Sequence, residues 1–217
     1  MKRVLMLLAN GVEPLEMSAF TDVLGWANLV GDEEIELVDV GLRSEITTTF
    51  GLNIRPNHLL ADMDVEMDLD DFDALAIPGG FEPSGFYLEA LSETFLQVIR
   101  HFANNGKLIA SVCVSSLALG AAGILKDRKA TTYHQVGGKR KNQLTETGAI
   151  FVDKPIVCDS NYITSTGPGT AVEVALVLLE KLTSKTAAEE LRKTMRIATP
   201  DKNWYQTPQV EPAVDLT

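Results

Sequence analysis

Short, nearly uninterrupted apolar runs that each end on small or turn-forming residues recur along this chain, and segments of helical periodicity separate them. Residues 3–8 (RVLMLL) close on Asn10-Gly11, and residues 72–77 (FDALAI) close on Pro78-Gly79-Gly80. Residues 34–40 (EIELVDV) and 107–112 (KLIASV) are the other two runs in the first half. Runs of this length without strict alternation read as strands buried on both faces, which is how parallel sheets are made. Between them, residues 14–30 carry Pro14 in a first turn, apolar residues at Phe20, Val23, Leu24 and Ala27, and Gly31 as a stop, and residues 92–103 read as a second helix. The order β, α, β, β, α, β predicts an α/β fold: a mostly parallel sheet with right-handed crossovers and helices on both faces.

Downstream, residues 115–122 (SSLALGAA) form a small-residue helix, residues 130–132 begin a strand, and residues 156–164 form a hairpin turning at Asp159-Ser160-Asn161. Helices follow at 170–182 and 186–195. No internal repeat interrupts this order. The expected organisation is one domain over 1–198 and a tail over 199–217 without periodicity.

Composition removes several function classes. A 45% hydrophobic content supports a sizeable core. Nineteen basic residues against thirty acidic ones leave a net charge of −11, so neither nucleic acid nor an anionic membrane is an expected partner. The apolar run after Met1-Lys2-Arg3 is too short for a signal peptide, and two cysteines suit a reducing, cytoplasmic compartment better than a disulfide framework. Residues 62–73 contain seven acidic residues, but Met67 stands where a calcium loop needs glycine. They read as a solvated loop or surface strand, and no metal or cofactor is expected.

The chemistry centres on residues 107–120 (KLIASVCVSSLALG), which put Cys113 where a buried strand must turn abruptly into a helix. That is the geometry of a nucleophile elbow, with strained, positive-φ backbone at the turn. Helix N-terminal amides favour the thiolate there, which would make Cys113 react before Cys158. Position alone does not separate this from a small apolar residue buried at a helix start.

Five ordered blocks carry a resemblance: residues 9–16 (ANGVEPLE), 77–80 (IPGG), 110–113 (ASVC), 123–132 (GILKDRKATT) and 164–170 (TSTGPGT). Together they resemble the ThiJ/PfpI superfamily, which includes deglycase and isonitrile hydratase branches. The resemblance implies a flavodoxin-like three-layer sandwich with the nucleophile at Cys113. It implies that Glu16 approaches the sulfur from the first helix; a carboxyl there should have a raised pKa and pass protons. It gives Gly79, Gly80 and Val114 an oxyanion- or substrate-binding role. His134 is the only histidine after the elbow and a candidate partner for Cys113, although the family's histidine position falls on Tyr133. Glu13 reads as a first-turn charge, Gly167-Pro168-Gly169 and Trp26 and Trp204 as packing, Cys158 as an inert strand thiol, and His58 and His101 have no assigned role.

Departures from the family pattern matter as well. Val114 replaces the histidine of the PfpI peptidases and the threonine of the isonitrile hydratases, and no late His-x-Glu of a glutamine amidotransferase occurs. The expected function is a cofactor-independent cysteine enzyme acting on a small electrophile, by hydrating an α-oxoaldehyde, by deglycation or by hydrating an isonitrile, in a homodimer. The alternative is an oxidative-stress sensor or chaperone-like protein without turnover. A transcription regulator is disfavoured because no basic extension follows residue 196.

Overall fold

The structure, a computed structural model, describes residues 1–31, 34–63 and 68–201. Strands β1 (Lys2–Leu8), β2 (Ile35–Gly41), β5 (His58–Leu59), β6 (Ala74–Ile77), β7 (Leu108–Ser111), β10 (Ile156–Asp159) and β11 (Tyr162–Ser165) form one seven-stranded sheet in the order β10-β11-β7-β6-β1-β2-β5. All neighbours are parallel except β10 and β11, the hairpin expected at 156–164. The apolar runs form the centre for the expected reason: Val4 to Leu8 and Ala74 to Ile77 are at most 1% exposed. Strands covered on both faces need apolar side chains at successive positions.

Helices α1 (Pro14–Val30), α6 (Ala171–Leu182) and α7 (Lys185–Thr194) pack on one another over one face, while α3 (Glu93–Asn104) packs against β6, β7, α2 (Phe86–Ala90) and α4 (Ser115–Ala121). The residues read as the inner stripe of α1, Phe20, Val23, Leu24 and Ala27, are all buried, and Gly31 caps its end. Trp26 does not pack as expected; it is 41% exposed.

Several elements lie outside the expected order. Strands β3 (Ile46–Thr47) and β4 (Asn53–Ile54) form a small hairpin, and the strand expected from residue 130 is the short β8 (Lys129–Ala130), paired with β9 (Ile150–Phe151). Helix α5 (Arg140–Glu146) buries only Arg140 and Leu144, so it has no apolar period for sequence reasoning to detect. Within the acidic stretch, residues 64–67 lie outside the described residues, Asp68–Asp71 form a 3-10 turn, and Asp70 pairs with His101 at 3.0 Å. Trp204 and most of the tail also lie outside the described residues. No helix among the described residues is long and apolar enough to cross a membrane.

Candidate active site

β7 ends at Ser111 and α4 begins at Ser115, so three residues must reverse the chain direction. The reversal places Cys113 at φ 60°, left-handed backbone that costs a non-glycine residue about 1–2 kcal/mol. Surrounding hydrogen bonds hold it there. Ser115 Oγ donates to Val112 O at 2.6 Å and to Ile77 O at 2.9 Å, and Val112 N donates to Ile77 O at 3.1 Å. Cys113 O accepts from Ser116 Oγ at 3.2 Å and Thr132 Oγ1 at 3.3 Å. The expected strained elbow is present.

Glu16 reaches it from the first turn of α1. Pro14 starts that helix, and the Glu13 carboxyl accepts from Leu15 N, which aims Glu16 under the end of β6. Glu16 is 0% exposed, and its Oε2 accepts from Gly79 N–H at 2.5 Å. Loss of water pushes its pKa up to about 8, against the hydrogen bonds from Gly79 and the Cys113 thiol and helped by the nearby charge of Glu13. The expected elevation is there, and its main cause is burial.

Cys113 departs from expectation. Helix amides were to favour its thiolate, but the residue is only 3% exposed. Burial pushes the thiol up, the Glu16 carboxyl adds to this, and the N–H of Val114 opposes it. Desolvation outweighs a seven-residue helix. Access also runs against the expected order of reaction, because Cys158 on β10 is exposed while Cys113 is buried.

The sulfur opens onto a cleft of about 20 Å³. Gly80, Val114, Tyr133 and Pro168 line it with Cys113. Gly79 takes no part as a donor to ligand because its N–H is committed to Glu16. Both glycines are required for space: a Cβ on Gly79 would lie 2.8 Å from Val112 O and 3.0 Å from Cys113 Cβ, and one on Gly80 would lie 2.3 Å from Gly11 O.

His134 does not line this cleft. It is buried against Phe151 with Nε2 3.2 Å from Asp153 Oδ1 and Nδ1 2.9 Å from Thr132 O, in a separate surface hollow. Tyr133 takes the cleft position instead. Sequence reasoning missed Glu82, Tyr87 and Arg140, which also line the cleft. Nothing in their local sequence marked them, since they come from three short elements that only the fold brings together: the 3-10 turn Glu82–Ser84, α2 and α5.

The sequence pattern of the DJ-1/PfpI family matches residues 2–181. The chain belongs to this family. It is 30% identical to the protein dj-1beta of Drosophila melanogaster over 91% of this chain and 98% of that one. The crystal structure of that relative superposes with a TM-score of 0.78 over 91% of this chain and 99% of its own. A deglycase of Thermococcus kodakarensis is 32% identical over 77% of this chain and 91% of its own. The isonitrile hydratase of Pseudomonas putida is 30% identical over 88% of this chain and 77% of its own. The mostly parallel sheet with its helices matches the fold of these DJ-1 neighbours.

Proposed function

We propose that this protein is a cofactor-independent enzyme in which the Cys113 sulfur adds to a small electrophilic carbon. The substrate is an α-oxoaldehyde, a glycation adduct of one, or an isonitrile. The supporting observation is the contact between a cysteine held at φ 60° and a fully buried carboxyl that keeps its proton up to about pH 8. As the S–C bond forms and the π bond of the substrate opens, protonated Glu16 gives its proton to the atom that receives the electron pair. The thiol proton replaces it on the carboxyl, so the pair stays neutral and water can complete the hydration. The names of the deglycase and isonitrile hydratase relatives support this class of reaction. Two free cysteines fit a reducing, cytoplasmic setting.

Turnover of methylglyoxal and of cyclohexyl isocyanide tests the reading. Cys113→Ser should abolish activity, and Glu16→Gln, which keeps shape but not the titrating proton, should slow it by roughly 100-fold. A fully active Cys113→Ser enzyme would sink it.

One observation favours a second reading, an oxidation sensor. A cleft of about 20 Å³ has room for a guest the size of water, hence for peroxide. Conversion of Cys113 to the sulfinic acid by peroxide, with neither substrate turned over, would select this reading.

A further inference from the structure

The cleft contains a charged group that addition to a neutral carbonyl does not use. Arg140 opens α5 with its side chain only 4% exposed. Its Nη1 donates to Gln143 Oε1 at 2.9 Å and its Nη2 to Glu82 Oε2 at 2.7 Å, and its guanidinium carbon lies 4.7 Å over the ring of Tyr87. Glu82 is 47% exposed and also bridges Lys139 at 2.9 Å, itself 49% exposed. Two cations and one anion leave +1 at this rim of a chain whose net charge is −11. The Tyr87 hydroxyl, on the same cleft, is buried with no hydrogen-bond partner among the described residues. Such an orphan costs about 1–3 kcal/mol, which a ligand oxygen would relieve.

We propose that the Cys113 cleft selects small electrophiles carrying a carboxylate beside the reacting carbon, and that Glu82 occupies the seat this carboxylate takes on Arg140. The inference rests on the reading of Cys113 as a nucleophile. Nη2 of Arg140 already holds one oxygen of a carboxylate while Nη1 is kept by Gln143, so the seat accepts a carboxylate through this single charge-assisted hydrogen bond. Glu82 and Lys139 both reach solvent and can leave together, which widens the cleft as the ligand enters. The incoming carboxylate then accepts from Arg140 and from the Tyr87 hydroxyl, with its neighbouring carbon toward the sulfur.

Iodoacetate and iodoacetamide differ only in the carboxylate and test this without turnover. In each case the S–C bond forms, iodide leaves, and the thiol proton passes to solvent. Rates are read at the Cys113 and Cys158 peptides by mass spectrometry, and the ratio of iodoacetate to iodoacetamide is compared. The ratio at Cys113 should exceed that at exposed Cys158 by about tenfold, fall to the Cys158 level in Arg140→Gln, and rise in Glu82→Gln, which removes the competing charge. Should Arg140→Gln fail to fold, the half-exposed Glu82→Gln decides alone. An unchanged ratio in Arg140→Gln, a lowered one in Glu82→Gln, or a Cys113 that takes neither reagent overturns the proposal. A protein inactive on methylglyoxal and cyclohexyl isocyanide but showing these ratios would remove those two neutral substrates from the proposed function and leave this inference standing.

Discussion

Glu16 acquires its chemistry from position, since an exposed glutamate in a first helical turn would only stabilise the helix dipole. Buried, it holds a proton to about pH 8 that the unfolded chain releases near 4.5. The folded protein therefore binds more protons across that window, and raising the pH through it costs stability by roughly 1.4 kcal/mol per unit at most. Glu13, also raised by burial, adds in the same direction. Thermal melts of Glu16→Gln should be less sensitive to pH between 5 and 8 than wild type; equal slopes would show that the carboxyl is not protonated. Glu16→Gln removes the carboxyl charge that adds to the elevation of the Cys113 thiol, so alkylation of Cys113 by iodoacetamide should begin to climb at lower pH in that variant than in wild type. Gly79→Ala forces a Cβ against Val112 O and Glu16 Oε2, so we expect a loss of about 1–3 kcal/mol in a denaturant melt together with loss of turnover.

At the scale of elements, the elbow is a joint between β6, β7 and α4. Ser115 links all three, because its hydroxyl meets the carbonyls of both Val112 and Ile77. Ser115→Ala leaves these buried oxygens with fewer donors and should lower stability by about 1–3 kcal/mol in chemical denaturation. A change below about 0.5 kcal/mol would mean that the strained φ at Cys113 is held by other contacts. The elements legible in the sequence were those with an apolar run or period of their own: β1, α1, β2, β6, α3, β7, α4, the β10-β11 hairpin, α6 and α7. Helix α5 was not legible, because it is polar and is held by Arg140 reaching Glu82 across 58 residues of chain. A long-range ion pair leaves no local periodicity.

For the whole molecule we expect a homodimer. Trp26, Leu29 and Val30 stand exposed on α1 at 41%, 76% and 48%, an apolar cluster that a partner would cover. Light scattering at micromolar concentration should return twice the chain mass, and a monomer would refute the expectation. The sequence by itself determined the alternating α/β order, the parallel sheet and the place of Cys113 at a strand-to-helix turn, because hydrophobic periodicity and turn chemistry are local. Glu16 was marked by the resemblance of residues 9–16 to a known family rather than by local physics. Only the tertiary structure decided that Tyr133 rather than His134 meets the cleft, that Gly79 serves Glu16 rather than ligand, and that Arg140 and Tyr87 line the cleft with Cys113. Those outcomes depend on which distant segments share one buried space, and on a desolvation that enclosure by the whole fold imposes and no short stretch of sequence encodes.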